Sequence, residues 1–243
     1  MTMLDQLSGV PSIELKLNVP ADQRLALAGL RLDAMQAVIR EVYFFDTPDL
    51  KLFANGVVAR ARRTQGKEDD TVVKLRPCLP AELPPEIRGS KNLKVEMDMS
   101  PGQYVVSASL KGLRPLGTVR EALGGQRTLE KLFTKEQRAF FAAHKPEGVS
   151  WEDLAPLGPM LVVLLKWVPE GFPRRTTIEQ WHYPGEIPLV ELSTKSPPET
   201  LLETIVGWDK FIKARGLKEG GSQEPKTRHA LEFWAGRVPA AAG

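Results

Sequence analysis

Hydrophobic and polar residues alternate with period two over nine stretches of the chain: 12–18, 39–45, 57–64, 71–76, 92–100, 103–111, 160–168, 176–183 and 188–195. Successive side chains on a strand point to opposite faces, so each stretch predicts a strand with one face buried. Apolar residues recur at helical spacing over 21–33, 128–143, 198–215 and 225–236. In the second of these, Leu129, Leu132, Phe133, Phe140 and Phe141 form a stripe that reads as a core face. Clusters of Gly and Pro divide the elements. They predict a loop over 77–90, a turn at 112–117, a tight hairpin connection at 168–175, a helix start after 196–198 and a helix–helix break at 218–225. Many strands with few helices between them predict an α+β fold on a largely antiparallel sheet. No internal repeat is present and no domain boundary is visible, and one domain is expected over 1–237. Within it, 112–156 is either a helical insertion or a segment packed on the sheet, and 238–243 is a disordered tail.

Length and composition allow a core, with 243 residues of which 42% are hydrophobic. No run of about 18 apolar residues exists to span a bilayer. The first residues, MTMLDQLSGVPSIELK, carry neither a basic nor an apolar signal region. Cys78 is the one cysteine, which excludes an internal disulfide, and His144, His182 and His229 lack zinc-ligand spacing. A soluble, reduced, cytoplasmic protein is therefore expected, with no membrane partner. Thirty-three basic residues against 30 acidic ones leave a charge of +3. That balance predicts no dedicated nucleic-acid surface, and it permits an anionic ligand.

The polar faces of the strands change this picture. Glu14 and Lys16 oppose Ile13, Leu15 and Leu17; Arg60 and Arg62 oppose Val57, Ala59 and Ala61; Lys74 and Arg76 oppose Val73 and Leu75. Lys94, Glu96 and Asp98 oppose Leu93, Val95 and Met97, while Glu191, Ser193 and Lys195 oppose Val190 and Leu192. Lys166 and Glu179 lie on two further strands. A half-solvated sheet explains alternation but not this composition. Like charges two apart on one face repel unless an anion lies between them. A sheet closed with this face inward makes sense as a hydrated tunnel for a polyanion, with Arg forks and Lys charges gripping phosphate. The carboxylates Glu14, Glu96, Asp98, Glu179 and Glu191 become useful there if Mg²⁺ or Mn²⁺ bridges them to the phosphates.

S-I-E-L-K-L at 12–17, V-Y-F-F-D-T-P-D-L-K-L-F-A-N-G-V-V-A-R-A-R-R at 42–63 and T-V-V-K-L-R at 71–76 closely resemble the CYTH superfamily, the triphosphate tunnel metalloenzymes. The first is similar to that family's E-x-E-x-K strand and the second to its Y-[YF]-D-T…L-R-x-R segment. The resemblance spans roughly residues 12–195 and implies a closed antiparallel eight-stranded β-barrel with flanking helices that binds triphosphate inside. Thiamine triphosphatases, inorganic tripolyphosphatases, RNA triphosphatases and class IV adenylate cyclases share that fold. By position, the resemblance implies phosphate-binding roles for Lys16, Arg60, Arg62, Lys74, Arg76 and Lys166, with Lys94 and Lys195 adding charge on the same faces. It implies Mg²⁺ or Mn²⁺ ligation by Glu14, Glu96, Asp98, Glu179 and Glu191, and it makes a homodimer plausible. Two family carboxylates are serines here, Ser12 and Ser193. Hydroxyls are weak ligands for a hard dication, and the loss bears most on a second metal ion.

Four functions follow. The first is metal-dependent hydrolysis of a linear triphosphate, with a small organic triphosphate or inorganic polyphosphate as partner. The others are non-catalytic binding of the same ligand, cyclisation of ATP, and docking of an acidic partner on an open charged sheet. Tyr43, Phe44 and Phe45 read as core, His182 as structural, Cys78 as inert, and Lys135 and Arg138 as a solvated helix face. Lys226 and Arg228 are placed to close a tunnel mouth.

Overall fold

The computed structural model describes residues 9–20, 23, 27–219 and 226–237. The expected tail at 238–243, and parts of the expected helices at 21–33 and 225–236 and of the break at 218–225, lie outside the described residues. Among the described residues the strands are β1 (Ile13–Val19), β2 (Val38–Asp46), β3 (Val57–Thr64), β4 (Asp69–Leu75), β5 (Leu93–Ser100), β6 (Gln103–Arg114), β7 (Ala155–Trp167), β8 (Thr176–His182) and β9 (Leu189–Ser196). The helices are α1 (Lys51–Ala54), α2 (Pro85–Arg88), α3 (Thr118–Leu123), α4 (Leu129–Leu132), α5 (Lys135–His144), α6 (Leu201–Ala214) and α7 (Lys226–Ala235).

The strands hydrogen-bond in the closed order β1-β5-β6-β4-β3-β2-β7-β8-β9. The expected eight antiparallel strands are corrected on both counts. All nine alternating stretches join the barrel, and β1 pairs in parallel with β5 while pairing antiparallel with β9. No hairpin joins β1 to β5, and the long stretch of chain between them leaves their relative direction open.

The chain divides into two compact units, Met1–Ile39 with Val95–Val106 and Leu161–Glu224, and Arg40–Lys94 with Ser107–Met160 and Pro225–Gly243. In the first unit, Ile13, Leu15, Leu17 and Val19 bury the apolar face of β1. Helix α6 buries Leu201, Trp208, Phe211 and Ile212, and Phe172 of the β7–β8 connection lies against Trp208 and stacks on Phe211. Gly207 makes room for that ring, since a Cβ there would stand 3.3 Å from it.

In the second unit, Val57, Ala59, Ala61 and Val73 are buried on one face of β3 and β4. Helix α5 is pinned to the sheet by Gln137, fully buried, whose Nε2 donates to the carbonyls of Thr71 and Leu110 at 3.0 and 2.9 Å. The one helix expected over 128–143 is two. Thr134 accepts from the backbone N–H of Gln137 and caps a new helix, leaving Phe133 extended between α4 and α5. Strand β6 continues to Arg114 through the start of the expected turn at 112–117, because Asp70, Thr71 and Asp69 of β4 pair with Leu113, Gly112 and Arg114. The loop expected over 77–90 contains a 3₁₀ turn and α2, which its prolines start.

Asp46 ends β2 by accepting from the backbone N–H groups of Thr47, Leu52 and Phe53 at 2.7–2.9 Å. This folds the D-T-P-D-L segment over α1 and delivers the chain to Gly56. There a φ of +72° and a close approach of 2.8 Å between a would-be Cβ and the Arg76 carbonyl exclude other residues. Strand β3 then starts in register with β4, which sets where Arg60, Arg62 and Lys74 stand.

Candidate functional site

In the first unit the register places carboxylates and ammonium groups in rows. Glu14 faces Lys195 on β9 and Asp98 on β5, Lys16 faces Ser193, and Asn18 faces Glu191. Across β8–β9, Glu179 faces Glu191 and Thr177 faces Ser193. The Lys16 ammonium pairs with Asp98 at 2.8 Å and Glu14 at 3.3 Å. Lys195 pairs with Glu96 and stands 3.9 Å from Glu14, while Ser193 Oγ donates to Glu14 at 3.2 Å. Trp181 Nε1 donates to Glu179 at 3.1 Å.

The carboxylates at the centre of the cluster are enclosed. Asp98 is 4% exposed and Glu191 5%. The sheet also closes on itself, so the open charged sheet expected as one alternative does not occur. Burial alone would favour loss of the Lys16 proton. The carboxylates of Asp98, Glu14 and Glu191 outweigh it and hold the ammonium well above the ordinary lysine value.

Beside the cluster lies a cavity of about 360 Å³, lined by Glu14, Ser193, Lys166, Arg174, Arg175 and Lys195 among others. Four cations and one carboxylate on its wall suit an anionic ligand. Lys166, expected among the phosphate-binding bases, is on that wall. Arg174 and Arg175 were not among the residues expected from sequence. Arg175 continues the parity of Thr177 and Glu179 by one residue, so extending the alternation of β8 backwards would have found it.

The second unit carries the other bases. On the polar face, Arg60 faces Val72 and Arg62 faces Asp70. Lys111 of β6 in turn faces Val72, and Ser109 faces Lys74. Lys111 also escaped the sequence pattern because it ends its stretch. Arg62 has its fork occupied: Nε and Nη2 lie 2.9 and 2.7 Å from Asp70 Oδ1. Arg76 directly follows β4, and Lys94 is exposed near the start of β5.

Burial pushes the Asp70 carboxyl up, but Arg62, with Arg60 and Lys111 beyond it, outweighs burial and holds it below the usual carboxylate range. A depressed folded value means a contribution fully present above the unfolded value of about 4 and lost as pH falls through the folded one. Thermal melts from pH 6 to pH 2 are expected to show the gap between wild type and Asp70→Asn closing toward acid. A gap independent of pH would show that the pair does not act through ionisation. Other side chains fit simpler roles. Phe44 and Phe45 are buried in the core, and burial pushes the Cys78 thiol up to about 11, away from nucleophilic use.

Among the described residues, no three His, Cys, Asp or Glu side chains form a cage that could hold a metal ion alone. The carboxylates stand in opposed pairs instead, Glu14 with Asp98 and Glu179 with Glu191, and hard oxygens in twos are the donor type that Mg²⁺ or Mn²⁺ takes together with water. No described helix is long and apolar enough to cross a membrane.

No protein-family model matches the chain, and no curated protein matches it. Solved structures do. A candidate adenylyl cyclase from Hippeastrum, described as having a dominant triphosphatase activity, aligns with a TM-score of 0.62 at 16% identity, over 92% of this chain and 96% of that one. A candidate adenylate cyclase from Bacillus halodurans aligns with a TM-score of 0.63 at 11% identity, over 90% of this chain and 97% of that one. At these identities the likeness shows the fold: a closed, mixed nine-strand barrel with flanking helices.

Proposed function

We propose that the chain is a CYTH-type phosphohydrolase that cleaves a linear triphosphate, inorganic or organic, with Mg²⁺ or Mn²⁺. The observation that carries this is the cation-lined cavity set directly against an enclosed carboxylate cluster in the first unit. Glu14 belongs both to the cavity wall and to the carboxylate cluster, so anion-binding and cation-binding groups meet there. The triphosphatase activity of the Hippeastrum protein, which has this fold, supports the same reading.

Glu14, Glu96, Asp98, Glu179 and Glu191 are the metal-binding residues in this reading. Held by these carboxylates, a divalent ion would supply charge neutralisation at the phosphates and lower the pKa of an attacking water. Lys16 holds Glu14 and Asp98 in position and keeps its proton throughout. Lys166 and Arg175 offer charge and a fork to phosphate oxygens in the cavity. Arg60, Lys74, Arg76 and Lys94 are the remaining phosphate-binding bases, and Arg62, its fork held by Asp70, joins them through its charge. Phosphoryl transfer needs chiefly alignment and charge stabilisation, so no separate protein base is required. A non-catalytic binder is the second reading, favoured by Ser193, which gives its hydroxyl to Glu14 where a further carboxylate would strengthen a metal site.

The test is a product assay with tripolyphosphate, ATP and thiamine triphosphate in Mg²⁺ or Mn²⁺, alongside Lys74→Ala. Orthophosphate release that is lost in the variant is expected. Cyclic AMP with pyrophosphate from ATP would assign a cyclase instead. No product, with tripolyphosphate still raising the melting temperature, would assign the binder.

A further inference from the structure

Lys195 is the cation of the carboxylate cluster to which the proposed chemistry gives no role. Its Cα stands opposite Glu14, and Glu14 stands opposite Asp98, so one row across β9, β1 and β5 reads Lys195, Glu14, Asp98. Its ammonium pairs with Glu96 and lies 3.9 Å from Glu14. Those two carboxylates are 17% and 19% exposed, against 45% for Lys195, which also lines the cavity. The lysine therefore reaches both carboxylates and shares the cavity wall with Glu14, at the point a cation shared between Glu14 and Glu96 would occupy.

The neighbouring row strengthens this. Ser193, opposite Lys16, adds a hydroxyl to Glu14 rather than a further negative charge, so this row brings no additional carboxylate to attract a second dication. A divalent ion entering between Glu14 and Glu96 would meet like charge already in place. Glu179 and Glu191 differ: they are directly opposed on β8 and β9, and like charges so opposed favour a cation between them.

We infer that Lys195 is a tethered cation standing in for a second metal ion, so that the protein takes up one divalent ion rather than two. The inference rests on the reading of this cluster as a metal-and-phosphate site. It makes Lys195 a positioning residue that replaces part of the metal requirement with a covalently attached charge.

Mn²⁺ uptake, followed by loss of the free-ion electron paramagnetic resonance signal, tests it without turnover. Wild type is expected to bind one Mn²⁺ per chain. Lys195→Met, which keeps the stem and removes the charge, is expected to bind two, and Lys195→Arg to return the count to one. Lys195→Gln provides a second neutral variant, with a melt of each protein to show that it is folded. Two ions in wild type, or one in every variant, overturns the inference and leaves the metal-dependent reading standing. No Mn²⁺ bound by any of them overturns both.

Discussion

Lys16→Met is expected to lower stability by about 3–5 kcal/mol, the range found when one partner of a buried ion pair is removed. The loss arises from what remains. Asp98 and Glu191, 4% and 5% exposed, would keep their charges beside Glu14 with the central ammonium gone. For a chain of this size the melting temperature should fall by about 10 °C. Lys16→Arg should recover most of the loss. Mg²⁺ should recover part of it in Lys16→Met, because a divalent ion can then neutralise the crowded carboxylates. Thermal melts in chelator and in Mg²⁺ decide the matter. A change under about 1 kcal/mol would mean that the carboxylates relax apart and that the cluster is not preorganised. The pH dependence follows from the direction of the Lys16 shift. Its folded value is raised, so its contribution is fully present below the unfolded lysine value of about 10.4 and lost only above that, through the higher folded value. Between pH 7 and pH 10 the wild type should lose no stability from this group.

Arg60→Met is expected to slow triphosphate hydrolysis by about 100- to 1000-fold, the usual effect of deleting one preorganised charge-stabilising donor. The Met side chain retains the packing of the Arg stem between Phe44 and Val72, its cross-strand neighbours, so folding should be nearly unchanged. Arg60→Lys should restore charge but not the bidentate fork, and hence only part of the rate. Phosphate release from tripolyphosphate, measured with the melting temperature of each variant, checks this. An unchanged rate in Arg60→Met would remove the basic face of the second unit from the phosphate-binding set. A lost rate with an equally large loss of stability would make Arg60 structural.

The resemblance carried by residues 12–17, 42–63 and 71–76 pointed to the barrel that the solved structures match, although it implied eight antiparallel strands where nine close in mixed order. The nine alternating stretches themselves were legible, because period-two alternation is a local property of a strand with unlike faces. Pairing was not. That Glu14 lies beside Asp98 and Lys195 follows from which strands meet and in what register, and those residues are far apart along the chain. Register also hid the Arg62–Asp70 pair, although its members are only eight residues apart across the β3–β4 hairpin, while Lys111, at the end of its stretch, and Arg175, one residue before its own, were missed where the local alternation stops.

By itself the sequence determined the parity of each strand and therefore which residues could share a charged face. Glu14 with Lys16, Arg60 with Arg62, and Glu96 with Asp98 each follow from a spacing of two residues. Only the tertiary structure decided what those charges do to one another. Coulomb energy depends on separation and on exclusion of water, and neither is encoded locally. Burial of Asp98 and Glu191 beside Lys16, and the placing of Lys195 between Glu96 and Glu14, turn an alternating pattern into an enclosed cluster with two cations of its own.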